Sequence, residues 1–194
     1  MTIYFTADLH LHHSNIFNEK LRWKFAHIQR NPPFRNIDEM DKGLIASWNS
    51  VVTNSDKVYH LGDFCLTKDI NSYSEMMHKV HGQTIFLRGN HDQGLQHANY
   101  YIWRRIEGMK IFMRHWPPWQ HPLRFPHSFD IPSDVDCILC GHVHDKWKYK
   151  VYRGTYKRIP VINVGVDVWG FKPVSLAMIM EDIGNFTRAN RLNF

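Results

Sequence analysis

Four clusters of polar residues constrain this sequence most, because each directly follows a short apolar run that predicts a β-strand. The clusters occupy residues 8–15, 62–63, 89–92 and 141–144. In an open α/β sheet, the carboxyl ends of the strands meet along one edge, and ligands bind there. Residues that are far apart in the sequence are therefore predicted to meet at a single site.

The order of the predicted elements indicates an α/β (α+β) fold. Strands are predicted over 2–7, 57–61 and 84–87, and helices over 37–53 and 71–80. The remaining apolar runs are interpreted as strands over 100–106, 109–115, 135–140, 148–153, 159–164 and 174–180. This order predicts a mixed sheet or two stacked sheets with helices outside, in a single domain that covers residues 1–194.

Composition excludes several classes of protein. Apolar residues make up 43% of the chain and charged residues 22%, which is typical of a globular domain rather than a disordered one. No apolar run approaches the roughly 18 residues that span a bilayer, so no membrane partner is expected. The first ten residues lack the basic region of a signal peptide, and we expect a cytoplasmic protein. The net charge of +6 favours anionic partners only weakly.

The chain has 14 histidines, and several stand in or near the polar clusters. The chemically informative blocks are Asp8-Leu9-His10, Gly62-Asp63, Gly89-Asn90-His91-Asp92, His115 and Gly141-His142-Val143-His144. Their nitrogen and oxygen groups suit Mn, Fe, Zn or Ni better than Ca or a thiolate site. In Asp-x-His and His-x-His at a strand end, residues i and i+2 are predicted to point to the same side, from which each pair can hold a metal ion.

In this order, the five blocks resemble the motifs of the calcineurin-like metallophosphoesterases. The resemblance runs from Asp8 to His144, and the segments 8–16, 163–167 and 172–175 are similar to a small single-domain branch of that family. It implies a two-sheet β-sandwich flanked by helices, in four αββα layers. That architecture agrees with the order of elements predicted above.

The same resemblance implies a site with two divalent metal ions, with Mn as the expected metal. The first ion is assigned to Asp8, His10, Asp63 and His144, and the second to Asp63, Asn90, His115 and His142. His91 is expected to protonate the leaving group as general acid, and Asp92 to orient its ring. The implied reaction is hydrolysis of a phosphate mono- or diester by a metal-bound hydroxide. The expected substrate is a phosphorylated small molecule, a nucleotide or a nucleic-acid phosphodiester.

Three further residues are candidates for contact with substrate: His13, Asn15 and Arg88. Each has a structural alternative, as an exposed loop histidine, a helix cap and a structural arginine respectively. The proline-rich segment 117–133 is predicted to be a loop that either shapes the substrate pocket or connects strands rigidly.

The sequence leaves three other functions open. The segment 8–12 also resembles the polymerase-and-histidinol-phosphatase metallohydrolases, although that family does not need the other blocks. A nucleic-acid-binding module without activity is suggested by the basic and aromatic segment 146–153, for which a solvent-facing edge hairpin is the favoured interpretation. A metal-binding relative without activity is the third alternative. Cys137 and Cys140 face opposite sides of a predicted strand, so we expect core residues rather than zinc ligands.

Overall fold

Two β-sheets form the framework of the computed structural model, which describes residues 1–21, 28, 30, 33–93, 95, 97–120, 131–154 and 157–190, the last five by their backbone only. The strands in this part of the chain are β1 (Ile3–Thr6), β2 (Lys57–His60), β3 (Gln83–Phe86), β4 (Tyr101–Ile106), β5 (Met109–Arg114), β6 (Cys137–Cys140), β7 (Tyr149–Arg153), β8 (Arg158–Asn163) and β9 (Val174–Ser175). The α-helices are α1 (Ile37–Asn49), α2 (Ile70–Lys79) and α3 (Leu176–Asn190).

Both sheets are mixed, and each has a parallel centre. The first sheet has the order β3-β2-β1-β9, with β1, β2 and β3 parallel and β9 antiparallel to β1. The second sheet has the order β4-β5-β6-β8-β7, in which β5, β6 and β8 are parallel and the two edge strands run antiparallel. The four polar clusters follow the carboxyl ends of β1, β2, β3 and β6, and His115 follows β5.

The largest apolar cluster lies between the two sheets. The first sheet contributes Phe5 on β1 and Leu61 just after β2 to this cluster. The second sheet contributes Ile111, Leu139 and Ile162. These side chains are at most 1% exposed, so burial of apolar surface holds the sheets face to face. The prediction of two stacked sheets with flanking helices is therefore confirmed.

Helices α1 and α2 cover the outer face of the first sheet. Helix α1 begins after Asn36, whose side-chain oxygen accepts a hydrogen bond from the backbone N–H of Glu39 at 2.9 Å. Its apolar stripe of Met40, Leu44 and Trp48 is buried in a second cluster. Helices at both positions were predicted, although α1 ends at Asn49 rather than at residue 53.

The prediction of a strand over 174–180 is wrong. Only Val174 and Ser175 belong to β9, and α3 begins at Leu176. The buried side chains of Leu176, Ile179 and Ile183 recur at helical spacing and pack into the cluster between the sheets. A short, continuously apolar run satisfies the strand and helix patterns alike, and here contact with the sandwich selects the helix.

The structure agrees with the interpretation of the segment 146–153 as an edge hairpin and of Cys137 and Cys140 as core residues. Strand β7 lies at the edge of the second sheet, as expected for the basic segment 146–153. Cys137 and Cys140 are buried and unbridged. Within the described residues, no helix is both long enough and apolar enough to cross a membrane.

Candidate metal centre

The polar clusters converge at the carboxyl ends of the parallel strands, as predicted. Backbone hydrogen bonds join the loops to one another: the N–H of Asp8 donates to the carbonyl of Gly62 at 3.0 Å, and the N–H of Gly141 donates to the carbonyl of His115 at 2.9 Å. The backbone N–H of His142 donates to both carboxylate oxygens of Asp8, at 3.0 and 2.9 Å. Loops from the two sheets thus form one connected site.

The backbone at this site has an unusual conformation. Asp8, His10, Asp63, His142 and His144 all have φ between 49° and 72°, in the left-handed region. The expected extended geometry for Asp-x-His and His-x-His is therefore wrong, because both members of each pair leave the strand conformation. A left-handed residue other than glycine costs about 1–2 kcal/mol. Such strain persists where surrounding structure enforces it, and it is concentrated at functional sites.

One group of candidate ligands consists of Asp8, His10 and His144, whose ligand atoms all lie within 4.8 Å of one another. The Nε2 atom of His10 is buried and has no hydrogen-bond partner. A buried nitrogen without a partner is costly, and a metal ion would satisfy it. Burial lowers the pKa of His10 well below its ordinary value, which keeps the imidazole neutral and able to coordinate. Burial also raises the pKa of Asp8 to about 6, against the opposing effect of nearby histidines.

A second group consists of Asp63, His115 and His142, again within 4.8 Å, together with Asn90. The Nδ1 atom of His115 lies 2.9 Å from the carbonyl oxygen of Leu61, so this nitrogen is the donor and Nε2 faces the site. Around that Nε2 lie Oδ2 of Asp63 at 3.2 Å and Oδ1 of Asn90 at 3.1 Å. Three acceptors this close repel one another unless a proton or a cation lies among them.

Protonation of His115 resolves that conflict when no cation is bound. Burial alone would lower the pKa of His115, but the carboxylates of Asp63 and Asp8 outweigh it and raise the pKa to about 9. Burial likewise opposes ionisation of Asp63, yet the imidazoles of His115 and His10 hold its pKa well below its ordinary value. The pocket therefore stabilises positive charge next to Asp63. Divalent metal ions fit this donor set of carboxylate, amide and imidazole groups.

Asp63 lies between the two groups. Its Oδ2 is 3.6 Å from Nε2 of His10 and 3.2 Å from Nε2 of His115. Its Oδ1 accepts a hydrogen bond from the backbone N–H of His91 at 2.8 Å, which fixes the carboxylate. Gly89 permits this approach, because a Cβ there would lie 2.1 Å from Oδ1 of Asp63.

A buried ion pair that the sequence did not indicate supports the first group. Asp167 contacts Nδ1 of His144 at 2.8 Å, and the fully buried Arg30 holds Asp167 through bonds of 2.9 and 3.2 Å. Arg30 also donates to the backbone carbonyls of Asp8 and Leu9. Burial opposes ionisation of Asp167, but Arg30 and His144 hold its pKa well below its ordinary value. The pair fixes the ring of His144 so that Nε2 faces the cluster.

The contacts of Asp92 differ from the predicted role of orienting the ring of His91. Its Oδ2 accepts from the backbone N–H groups of Asp63 at 2.6 Å and Gly89 at 2.8 Å. Its Oδ1 accepts from the N–H of Phe64 at 2.9 Å and from the hydroxyl of Tyr73 at 3.2 Å. Asp92 is therefore a buried bracket that joins the loops after β2 and β3, and it acts on the site through the backbone.

His91 and His13 lie together beside His10. The half-buried ring of His91 lies 5.0 Å from that of His10 and 5.4 Å from that of His13, centroid to centroid. A nitrogen of His91 also lies within 4.8 Å of the ligand atoms of His10 and Asp63. His91 is therefore close enough to coordinate a metal ion as well as to donate a proton. His13 is 1% exposed, and its Nδ1 is 3.3 Å from Nδ1 of His10. The exposed-loop alternative for His13 is therefore wrong.

The other two candidates for contact with substrate lie in different surroundings. Arg88 donates to the hydroxyl of Tyr100 at 3.0 Å and lies over its ring. Asn15 is exposed in a short 3₁₀ helix, Ser14–Phe17. In the predicted loop 117–133, residues 121–130 lie outside the described residues, so a role for the whole loop stays a prediction.

Comparisons with known proteins identify the family of this chain. The sequence is 34% identical over 182 residues to an uncharacterized protein from Methanocaldococcus jannaschii, covering 92% of this chain and 89% of that one. The fold matches the crystal structure of a protein of unknown function from Aquifex aeolicus with a TM-score of 0.65 and 26% identity, over 93% of this chain and 98% of that one. Residues 1–181 match the family model of the calcineurin-like phosphoesterase superfamily domain. Because that match covers both sheets and every polar cluster, the chain belongs to the calcineurin-like phosphoesterase superfamily.

Proposed function

We propose that this protein is a metal-dependent phosphoesterase with a dinuclear site that hydrolyses a phosphate mono- or diester. The position of Asp63 carries the proposal, since its carboxylate lies within reach of both ligand groups. Asp8, His10, Asp63 and His144 would hold one ion, and Asp63, Asn90, His115 and His142 the other. Mn is the metal we favour, with Fe, Zn and Ni as alternatives that the same donors accept.

Two such ions, when bound, supply a nucleophile at neutral pH and neutralise the charge of the phosphate in the transition state. The chain's own residues hold that arrangement in place. Asp92 and the Arg30–Asp167 pair fix the ligand-bearing loops, so that little reorganisation is needed when a substrate binds.

His91 is the residue that we assign to protonation of the leaving group. Its backbone N–H is anchored on Asp63, and its half-buried ring extends beside His10. A proton donor at this place typically contributes about 10²–10⁴ in rate. The contribution is largest for substrates whose leaving group is a poor one, because those need the proton most.

The test measures hydrolysis of p-nitrophenyl phosphate and bis-p-nitrophenyl phosphate by the full chain, after treatment with EDTA and again after addition of Mn²⁺. We expect turnover only with metal. Asp63→Ala is expected to lose both metal and activity, whereas Asp134→Ala, which removes an exposed carboxylate paired with Lys110, should keep both. Absence of turnover with two bound ions would contradict the proposal and favour a metal-binding relative without activity.

A second pair of variants separates an acid from a ligand at His91. His91→Ala is expected to keep its metal, measured by mass spectrometry of the metal content, and to lose rate most strongly on esters with poor leaving groups. His78→Ala removes an exposed histidine on α2 and serves as the control. If His91→Ala empties the site instead, His91 is a ligand.

The substrate is proposed only as a class: a phosphorylated small molecule, a nucleotide or a nucleic-acid phosphodiester. A position in the cytoplasm stays a prediction from the sequence.

A further inference from the structure

An aromatic and basic surface lies next to the metal centre. Trp119 and Trp147 pack against each other with ring centroids 5.6 Å apart. The ammonium group of Lys150 lies 5.6 Å from the centroid of the Trp119 ring and 5.4 Å from that of Trp147. We call these three residues the tryptophan ledge.

The ledge is joined to the candidate ligands by short segments of chain. Trp119 follows His115 by four residues and Trp147 follows His144 by three, which limits the Cα separations to about 14 Å and about 11 Å. The buried ring of Trp116 lies 4.9 Å from that of His115 and 6.1 Å from that of His142. The ledge is therefore close enough to the candidate ligands for one short oligomer to contact both.

Two hydrogen bonds hold the turn that carries Trp119. The backbone N–H of Gln120 donates to the carbonyl of Pro117 at 3.0 Å, which closes a turn with Pro118 and Trp119 at its centre. The carbonyl of Gln120 in turn accepts a bond of 3.2 Å from the buried Arg114. Trp119 is nevertheless 41% exposed. Because the turn is hydrogen-bonded and the ring packs against Trp147, Trp119 loses little conformational entropy when a ligand stacks on it.

The surroundings of the ledge are basic. The segment 145–153 contains four basic side chains and one acidic side chain. Lys146, Lys150 and Arg153 are exposed, and no carboxylate among the described residues forms an ion pair with Lys150. The exposed indole of Trp119 and the unpaired ammonium group of Lys150 match the combination that binds single-stranded nucleic acid, in which bases stack on aromatic rings and phosphates contact cations.

We propose that the tryptophan ledge binds the bases of a single-stranded nucleic acid whose phosphodiester reaches the metal centre. This inference rests on the proposed function and narrows its substrate to a polymeric phosphodiester. The bases stack on Trp119, and Lys150 contacts the backbone.

The experiment measures binding of a fluorescent 15-nucleotide thymidine oligomer to the full chain by anisotropy in EDTA, so that no metal-dependent cleavage occurs. An abasic oligomer of the same length and a DNA duplex are measured beside it. We expect the thymidine oligomer to bind more tightly than either. Trp119→Ala should weaken its binding by about 5- to 150-fold and leave the abasic oligomer unaffected. Lys150→Ala should weaken both oligomers and lower the salt slope of binding by about 0.7.

Matched controls lie at the opposite edge of the second sheet and on α1. Trp103 is 48% exposed on the edge strand β4 and also has a lysine over its ring, at 4.6 Å, so Trp103→Ala tests for a general effect of an exposed indole. Lys42→Ala does the same for an exposed lysine. Equal binding of the abasic and thymidine oligomers, or equal effects of Trp119→Ala and Trp103→Ala, would overturn the inference. Hydrolysis of bis-p-nitrophenyl phosphate is scored separately, so either proposal can fail without the other.

Discussion

Replacement of Asp92 by asparagine tests whether this residue is a structural bracket. Asp92 is 1% exposed, and its two oxygens accept from four donors: the N–H groups of Asp63, Phe64 and Gly89 and the hydroxyl of Tyr73. Asparagine has one acceptor oxygen. In the orientation that costs least, the asparagine oxygen takes the place of Oδ2 and still accepts from the N–H groups of Asp63 and Gly89. The amide NH2 takes the place of Oδ1, where it donates to the Tyr73 hydroxyl. The backbone N–H of Phe64 is then left without an acceptor.

That loss sets the magnitude. A buried donor without a partner costs about 1–3 kcal/mol, and the remaining bonds weaken because they no longer reach a charged acceptor. We expect Asp92→Asn to lower the free energy of unfolding by about 2–4 kcal/mol. For a chain of this length the melting temperature should fall by about 4–16 °C.

The assay is thermal unfolding followed by circular dichroism in EDTA, so that bound metal makes no contribution. Tyr73→Phe is the matched control, because it removes only the longest of the four bonds and should cost about 0.5–1.5 kcal/mol. An unchanged melting temperature for Asp92→Asn, together with lost turnover, would refute the bracket and restore the role of orienting the ring of His91.

Three further predictions concern metal binding. Gly89→Ala should displace the carboxylate that the glycine now touches, and metal content measured by mass spectrometry should fall below two ions per chain. Asp167→Asn should weaken metal affinity by about 10–100-fold in isothermal titration calorimetry, since the ring of His144 loses its charged partner; unchanged affinity would contradict that role. The pKa of His115, raised to about 9 by neighbouring carboxylates against the effect of burial, means that a metal must displace a proton at pH 7. The association constant should then rise about tenfold per pH unit between pH 7 and 8, and an affinity independent of pH would contradict this.

The convergence of the polar clusters was predictable from sequence because each cluster is local. Each cluster follows its own strand, and parallel strands place their carboxyl ends at one edge. The blocks around Asp8, Asp63 and His142 could therefore be brought together without knowledge of the sheet order. The cap of α1 at Asn36 is equally local, because it depends on residues three positions apart.

The parts that escaped prediction depend on tertiary contacts. Arg30 stands in a polar stretch that gives no sign of burial, and only the folded chain brings it to Asp167. Asp167 lies in the segment 163–167, which was noted for its resemblance to the family without a role. The left-handed backbone at His10 and the start of α3 at Leu176 likewise depend on packing that no local pattern encodes.

Anomalous diffraction from crystals grown with Mn²⁺ tests the central claim most directly. Two peaks about 3.5–4 Å apart, one on each side of the Asp63 carboxylate, are the predicted result. A single peak, or two peaks of which neither lies beside Asp63, would contradict the account.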